Sequence, residues 1–384
     1  MKTTSQPYDA SLQEPGLPVR LIRGGRDFFG LLLELIRNAR SSIHLQTYIL
    51  HDDETGLLVI DALEAASARG VDVFVLADGY ASRNLQQKTI SSMRIAGIRF
   101  RFFEPLFRSH YFYFGRRLHH KLFVADEQYA LIGGINITDR YNDMPGKPAW
   151  LDLALLVTGK IAAQTAALCK QIWNNERIPE IKRIETSDTN KVMIRRNDWV
   201  RRYNEISGSY IDMLRHAKDH ITIICSYFLP GKIIRRLLRS AAQRGVNIRV
   251  ITAGTSDVMI SKHAERWMYD WLLRNGITLY EYQPVILHAK AAVCDSSWFT
   301  LGSYNLNNLS TYASIELNLD VRDNTTAQEL EAMLDRIIAE DCIPVTRETH
   351  RHSKNPFIQL MRWISYHFIR VMFTLLTFYF KRER

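Results

Sequence analysis

The sequence predicts an α/β protein of two similar halves, each a sandwich of helices and a sheet, followed by an apolar C-terminal helix. Apolar segments with strand character alternate with segments of helical periodicity. The pattern H-x-K-x4-D-x6-G-[GS]-x-N occurs twice, at an offset of 169 residues (288 − 119). The helix end, glycine and strand of residues 68–77 also return at residues 243–252. A duplicated unit is expected to pack about a pseudo-twofold axis.

The predicted elements follow the same plan in both halves. Gly70 ends a helix and is followed by an apolar strand, and Gly245 takes the same place in the second half. Because strands alternate with helices, we expect a mixed, largely parallel sheet in each half. The first half is predicted to contain strands Ser42–Leu50, Val71–Leu76, Ile98–Phe103 and Leu151–Val157 and helices Thr55–Arg69, Gln86–Ala96 and Lys160–Trp173. The second is predicted to contain strands Ile221–Phe228, Val246–Thr252, Ile277–Tyr282 and Ile315–Val321 and helices Lys232–Arg244, Lys262–Asn275 and Thr326–Ile338.

Length and composition fit a folded chain with four segments. The 384 residues can bury one or two sizeable cores. We expect a flexible arm over residues 1–17, a first half over residues 18–185, a second half over residues 186–345 and a C-terminal membrane-associated helix over residues 346–384. The polar start has no apolar core of a signal peptide or membrane anchor. The four scattered cysteines, without C-x-x-C, predict free thiols in a reducing compartment.

Each copy of the motif places a histidine and a lysine two residues apart, so that both side chains point to one face of a strand. His119 and Lys121 form the first pair, and His288 and Lys290 form the second. If the copies meet, the lysines can hold the oxygens of a phosphodiester. One imidazole can then attack phosphorus while the other gives a proton to the leaving group. Since the lysines supply the positive charge, we expect no metal and no cofactor.

Small residues and asparagines complete the predicted substrate site. Gly134 and Ser303 follow the next strand, where small side chains let backbone N–H groups approach an oxyanion. Asn136 and Asn305 supply neutral hydrogen-bond donors. These four residues are therefore predicted to bind substrate.

Each histidine needs an orienting carboxylate on its second ring nitrogen. Asp152 and Glu316 stand at the start of apolar strands, and we predict that they orient the histidines. Asp126 and Asp295 end the motif strands, where a turn or salt-bridge role fits as well as direct chemistry.

The duplicated motif resembles the signature of the phospholipase D superfamily, and its flanks resemble bacterial cardiolipin synthases. These flanks are IHLQTYIL, ARGVDVFVLADGYAS, RFFEP and IGGINITDRY with a W-x-D downstream, and the resemblance covers residues 18–345. It implies a phosphohistidine intermediate, which we assign to His119. Unlike many members of that family, the chain shows no pair of membrane helices before this region. The resemblance implies a catalytic set of His119, Lys121, Asp126, His288, Lys290 and Asp295.

The resemblance implies a phosphatidyltransferase that makes cardiolipin and glycerol from two phosphatidylglycerol molecules. A phospholipase D hydrolase would use the same residues with water as the acceptor. A phosphodiesterase or nuclease and a membrane scaffold with a relic site are further alternatives. The net charge of +10 predicts an anionic partner, either nucleic acid or an acidic membrane. The apolar C-terminus favours the membrane, so we expect an anionic phospholipid surface, no nucleic acid, and a peripheral location on the cytoplasmic side of the bacterial inner membrane.

Residues 357–380 form the most apolar stretch and are long enough to span a bilayer. Polar residues, Arg362 and Arg370 among them, recur along one narrow helical face, as in helices that lie in the membrane interface. Interfacial binding, spanning, and packing against the two halves are the three alternatives. A second candidate lipid contact is Leu106–Arg117, where aromatic residues alternate with cations; a loop packed over the sheet is the alternative.

Overall fold

The computed structural model describes residues 19–105, 116–175, 191–198, 201, 203–307, 310, 314–352 and 355–381. The predicted arm, most of Leu106–Arg117 and the predicted boundary at residue 185 lie outside these ranges. The strands before residue 175 are β1 (Val19–Arg23), β2 (Ser42–Thr47), β3 (Asp72–Asp78), β4 (Arg99–Phe103), β5 (Arg117–Leu118), β6 (Lys121–Ala125), β7 (Tyr129–Gly133) and β8 (Leu153–Thr158). The helices there are α1 (Arg26–Asn38), α2 (Glu54–Ala68), α3 (Gln87–Ile95) and α4 (Lys160–Trp173).

The later elements repeat this plan. The strands are β9 (Val192–Asp198), β10 (Tyr203–Asn204), β11 (His220–Cys225), β12 (Asn247–Ala253), β13 (Thr278–Tyr282), β14 (Lys290–Cys294), β15 (Trp298–Gly302), β16 (Ser314–Val321) and β17 (Cys342–Val345). The helices are α5 (Glu205–His216), α6 (Lys232–Gln243), α7 (Met259–Arg274), α8 (Asn324–Asp341), α9 (Arg347–His352) and α10 (Pro356–Lys381).

The elements form two sheets with the same central order. The first sheet runs β1-β8-β7-β6-β2-β3-β4, and the second runs β10-β9-β16-β15-β14-β11-β12-β13-β17. The run β8-β7-β6-β2-β3-β4 corresponds strand for strand to β16-β15-β14-β11-β12-β13. The prediction of two similar α/β halves is therefore confirmed.

The sheets are mixed, but the prediction that they are largely parallel is wrong. In the first sheet only β2–β3 and β3–β4 pair in parallel, whereas four pairs of described strands are antiparallel. The reason is a tight turn that joins β6 to β7 as a hairpin, with Asp126 and Glu127 at φ values of 54° and 58°. The second half repeats this turn at Asp295 and Ser296, with φ values of 49° and 47°.

Hydrophobic cores lie on both faces of each sheet. One core fills the space between the two sheets and includes α4 and α8, with Leu122 of β6 and Ala291 of β14 among its residues. A second core covers the outer face of the first sheet with α1, α2 and α3. A third covers the second sheet with α5, α6 and α7. The site described below lies where the two halves meet across the shared core.

The C-terminal helix α10 packs one face against α7. Tyr366 and Ile369 contact a small cluster formed by Leu229, Ala264 and Met268. Arg362, a member of the predicted polar face, is only 5% exposed and lies inside the protein, as expected for the alternative in which the helix packs against the two halves. Within the described residues, no helix is both long enough and apolar enough to cross a bilayer.

Candidate active site

The two motif strands lie at corresponding central positions of the two sheets. β6 and β14 are buried along their whole length. Lys121 and Lys290 are the first residues of these strands and are 5% and 1% exposed. His119 and His288 precede them on the same strand face, with side chains that are 17% and 8% exposed. Each half therefore brings one histidine and one lysine to the end of a rigid strand.

Backbone hydrogen bonds hold each histidine against the other half of the protein. The N–H groups of His119 and His120 both donate to the carbonyl oxygen of Ile315, at 3.0 and 2.9 Å. The N–H groups of His288 and Ala289 both donate to the carbonyl oxygen of Leu151, at 2.7 and 3.0 Å. The two halves thus exchange equivalent contacts at the site.

The residue that follows each of these carbonyls supplies a carboxylate to the same histidine. Nδ1 of His119 lies 2.9 Å from a carboxylate oxygen of Glu316. Nδ1 of His288 lies 2.6 Å from Oδ2 of Asp152. An ionised carboxylate only accepts, so Nδ1 of His119 carries the hydrogen and Nε2 keeps its lone pair. Nδ1 of His288 faces both Asp152 and Nζ of Lys290, which lies 2.8 Å away. The carboxylates predicted to orient the histidines are thus placed beside them, each from the opposite half.

Burial lowers the pKa values of both site lysines. The pKa of Lys121 is lowered to about 7, chiefly by burial; Glu316 opposes this effect and Lys290 adds to it. Burial likewise lowers the pKa of Lys290. Nζ of Lys121 donates to the carbonyl oxygen of His119 at 2.5 Å, and Nζ of Lys290 contacts the carbonyl oxygen of His288. A bound anion would favour the ammonium form of both lysines.

The same causes keep both imidazoles neutral near pH 7. Burial lowers the pKa of His119, and Lys121 and Lys290 add to this effect while Glu316 opposes it. Burial lowers the pKa of His288 well below its ordinary value, helped by Lys290, Lys121 and His119. These effects of each lysine on the other motif's histidine agree with the exchanged backbone contacts at Ile315 and Leu151, which bring both motifs to one junction. Burial also raises the pKa of Asp152 to about 6.

Gly134 and Ser303 occupy equivalent positions in the two motifs, and each lies against a carboxylate that contacts a histidine. A Cβ atom on Gly134 would stand 2.3 Å from Oδ1 of Asp152, so only glycine leaves room for that carboxylate. Ser303 donates its hydroxyl to Glu316 at 2.5 Å. The N–H of Gly134 donates to the carbonyl oxygen of Leu153 at 3.2 Å. These contacts support the histidine partners, whereas the sequence predicted a direct role in substrate binding.

Asn136 and Asn305 are buried and also make contacts within the protein. Asn136 accepts from the N–H of Ile49 at 3.1 Å and donates to the hydroxyl of Tyr141 at 2.9 Å. Oδ1 of Asn305 lies 3.7 Å from Sγ of Cys225. Asn136 therefore fixes the loop after β2 and the aromatic ring beside His288.

Asp126 and Asp295 lie outside the site, at the far ends of the motif strands, which corrects their placement in the catalytic set. Asp126 accepts from the N–H groups of Arg40, Ser41 and Ser42 at 2.7–3.0 Å. Asp295 accepts in the same way from three consecutive N–H groups at residues 218–220. Aspartate tolerates the positive φ of the hairpin turn, and its carboxylate caps the start of the neighbouring strand. In this structure the motif aspartate therefore serves local structure.

Three aromatic rings that the sequence did not single out as site residues line the histidines. Tyr48 meets the ring of His119 edge-on, with centroids 4.7 Å apart. Tyr141 meets the ring of His288 at 5.1 Å, and Trp150 lies 6.2 Å from it. Trp150 stands two residues before Asp152, so the W-x-D segment was the available signal. Among the described residues, no group of histidine, cysteine and acidic side chains is arranged to hold a metal ion.

Comparison with known proteins adds sequence similarity to this geometry. The family profile described as cardiolipin synthase, PLD-like domain, matches residues 32–173 and 210–338. Cardiolipin synthase B of Salmonella typhimurium is 33% identical over 342 residues, which are 85% of this chain and 82% of that protein. Cardiolipin synthase B of Escherichia coli K12 is 32% identical over 372 residues, 92% of this chain and 88% of that protein.

Two solved structures share the fold. The phosphatidylserine synthase of Haemophilus influenzae has a TM-score of 0.71 at 15% identity and covers 94% of each chain. The polyphosphate kinase of Porphyromonas gingivalis has a TM-score of 0.61 at 19% identity, over 91% of this chain and 53% of that one. At these identities the likeness shows the architecture alone.

Proposed function

The chain belongs to the cardiolipin synthases with phospholipase D-like domains, and we propose that it joins two phosphatidylglycerol molecules into cardiolipin and releases glycerol. The observation that carries the proposal is the reciprocal pairing of His119 with Glu316 and of His288 with Asp152 around two lysines. Two oriented imidazoles beside two buried cations suit attack on a phosphodiester and protonation of its leaving alkoxide.

The first half-reaction forms a covalent intermediate. Nε2 of His119 attacks the phosphorus of one phosphatidylglycerol, forming a P–N bond, while the P–O bond to the glycerol head group breaks. His288, which is protonated when the phosphodiester anion is bound, gives its proton to that alkoxide, and glycerol leaves. Lys121 and Lys290 face the non-bridging oxygens, where negative charge grows. His119 is the better placed nucleophile because its side chain is the more exposed of the two.

The second half-reaction reverses these roles. His288 takes the proton from a hydroxyl of a second phosphatidylglycerol. That oxygen attacks phosphorus, the P–N bond breaks, and His119 is regenerated. Water in place of the second lipid would give phosphatidic acid, so the exclusion of water decides between transfer and hydrolysis. The two histidines and the two lysines supply every group that these half-reactions require.

We place the protein at the cytoplasmic surface of the bacterial inner membrane, bound peripherally to anionic phospholipid. The net charge of +10 and the apolar stretch over residues 357–380 support this location.

Product analysis tests the proposal. Purified protein is incubated with phosphatidylglycerol vesicles, and lipids and glycerol are measured by mass spectrometry. Cardiolipin and glycerol in equal amounts are expected. Phosphatidic acid without cardiolipin would identify a hydrolase, and no lipid product would contradict both activities.

A further inference from the structure

The helix α10 carries an exposed apolar stripe opposite the face that packs on α7. At 100° per residue, seven exposed apolar side chains fall within an arc of roughly 120°. Together they form a continuous apolar surface of the kind that marks an interaction site. These residues are Phe357, Leu360, Met361, Ile364, Phe368, Val371 and Met372, each 39–68% exposed.

The stripe runs toward the edge of the candidate active site. Arg347, the first residue of α9, donates to the carbonyl oxygen of Leu273 near the C-terminal end of α7. Farther along the chain, Tyr366 and Ile369 contact the cluster that includes Ala264, nearer the N-terminal end. The two helices are therefore antiparallel, and α10 proceeds toward the start of α7.

The start of α7 lies beside the catalytic lysine of the second half. Cys225, at the end of β11, pairs with Lys290, and β12 runs parallel to β11. The loop between β12 and α7 therefore leaves the sheet at the same edge as Lys290. That loop and the first turn of α7 expose three apolar side chains, Val258, Met259 and Ile260, at 41%, 61% and 41%.

Cations lie on α6, the helix beside the α10 stripe. Lys232, Arg236 and Arg239 are exposed on α6, and Arg235 of the same helix donates to the hydroxyl of Tyr366 on α10 at 3.4 Å. No aspartate or glutamate occurs between Pro356 and Lys381. An apolar stripe bordered by cations complements a bilayer that exposes anionic head groups.

We propose that the α10 stripe and Val258–Ile260 form one bilayer-binding surface that lays the edge of the active site against anionic phospholipid. The choice of a bilayer as the occupant rests on the proposed function. One face of α10 packs against α7 and the opposite face meets the bilayer. The helix thus joins the catalytic region to the lipid surface without crossing the bilayer.

Vesicle sedimentation tests this surface without turnover. Leu360→Glu with Phe368→Glu should reduce binding to phosphatidylglycerol vesicles at least tenfold. Ile95→Glu is the matched control, because Ile95 is 87% exposed on α3 and lies off the surface. Met259→Glu should weaken binding as well, and Lys232→Glu with Arg236→Glu should weaken it more on anionic than on neutral vesicles. Thermal unfolding shows whether each variant is folded.

Two outcomes would overturn the surface: unchanged sedimentation of the folded double variant, or conversion of a dimer to a monomer with vesicle binding intact. The second outcome would identify a second copy of the chain as the occupant. A protein that binds vesicles but makes no cardiolipin would contradict the proposed function and leave the surface supported.

An exposed carboxylate lies at the same edge of the second sheet. Asp257 is exposed in the loop after β12, and the hydroxyl of Tyr227, in the loop after β11, donates to it at 2.5 Å. Both loops leave the sheet beside Lys290. The charge of Asp257 opposes the lowering of the pKa of His288, as expected for a carboxylate close to the site.

A negative charge beside a phosphodiester site is unfavourable unless it contacts another part of the substrate. A carboxylate accepts hydrogen bonds from hydroxyl groups, and the oxygen of Tyr227 can accept one more. We infer that Asp257 and Tyr227 bind the hydroxyl groups of a glycerol head group beside the phosphate. This assignment deepens the proposed function by naming residues that select the head group.

Competitive inhibition tests the head-group assignment apart from cardiolipin formation. Hydrolysis of bis(p-nitrophenyl) phosphate is measured with glycerophosphoglycerol as the inhibitor. Asp257→Asn should raise the inhibition constant of glycerophosphoglycerol about tenfold, which corresponds to 1.4 kcal/mol of binding free energy. Tyr227→Phe should raise it less, and Asp257→Glu should restore part of the affinity. Dimethyl phosphate, which has no head group, should bind the wild type and Asp257→Asn equally.

Asp270→Asn is the matched control, because Asp270 is a 67% exposed carboxylate of α7. An unchanged inhibition constant for glycerophosphoglycerol would overturn the assignment. An equal loss of affinity for dimethyl phosphate would also overturn it, because Asp257 would then act through the charge of the site alone.

Discussion

His119 and Glu316 lie 2.9 Å apart at the junction of the two halves, although 197 positions separate them in the chain. His288 and Asp152 form the equivalent contact in the opposite direction across 136 positions. Each half therefore holds a histidine whose carboxylate partner comes from the other half. Neither half completes such a pair alone, which gives a physical reason for two units within one chain.

The crossed carboxylates should be needed for rate. Glu316→Gln and Asp152→Asn should each lower kcat by roughly 10²–10⁴, because the imidazole loses the charge that fixes its tautomer and stabilises its protonated form. Turnover of phosphatidylglycerol and of a soluble phosphodiester checks this. Glu340→Gln is the control, since Glu340 is exposed on α8. Near wild-type kcat in either site variant would show that the pairs do not orient the histidines.

The sequence could predict the site because its residues repeat at a fixed offset and lie beside apolar strands. Asp152 and Glu316 were reachable for the same reason, but their exchange between halves was not, because it depends on how the sheets face each other. Asp126 was misplaced because the resemblance carries over every motif residue, although Asp126 follows the far end of the strand that begins at Lys121. The hairpins were missed because Asp126–Glu127 is not a common turn sequence, so the sheets were predicted as more parallel than they are.

Other elements were missed because their local sequence signals are weak. Helix α1 begins after Gly25 without a side-chain cap, and no predicted helix covered it. Strand β9 alternates little and gains its place by pairing with β16. Such elements are fixed by partners distant in sequence, which a single sequence does not show. Helix α4, with a regular apolar face, was predicted to the residue.

The assignment of His119 as the nucleophile predicts where an intermediate collects. In His288→Ala, a p-nitrophenyl ester of phosphatidic acid should still load the enzyme, because this leaving group needs no acid. The adduct should then persist, because no base activates the acceptor. Mass spectrometry should find it on His119. An adduct on His288 in His119→Ala would identify His288 as the nucleophile and His119 as the proton donor. The absence of an adduct in both variants would contradict covalent catalysis.

Gly134 should tolerate no side chain. Gly134→Ala would place Cβ 2.3 Å from Oδ1 of Asp152 and push that carboxylate from His288, so activity should fall at least tenfold with little change in fold. Gly30→Ala is the matched control: Gly30 lies in α1 with nothing near its Cβ position, and the change should stabilise the helix by about 0.5–1 kcal/mol. Steady-state kinetics measures the loss of activity, and thermal unfolding measures the change in stability. Full activity in Gly134→Ala would contradict the close approach of residue 134 to the Asp152 carboxylate.

Asp126 should matter for stability and not for chemistry. Asp126→Ala removes the acceptor for three backbone N–H groups, which should lower the free energy of unfolding by about 1–3 kcal/mol with kcat within twofold of wild type. These hydrogen bonds lower the pKa of Asp126 from 3.8. Its stabilisation is therefore complete above that value and lost as pH falls, so the difference from Asp126→Ala should shrink in acid. A collapse of kcat with unchanged stability would restore a catalytic role.

Lys121 should set the alkaline limb of the pH profile. Burial lowers its pKa to about 7, so in the free enzyme the ammonium that holds the phosphodiester is present below pH 7 and is lost above it. We expect kcat/KM to fall tenfold per pH unit on the alkaline side. Lys121→Arg keeps its charge, so this limb should move upward even if kcat drops. Lys170→Arg, a change at an exposed lysine, should leave the profile unmoved. An alkaline limb that stays in place in Lys121→Arg would assign the titration to another group, with Lys290 the next to test by the same substitution.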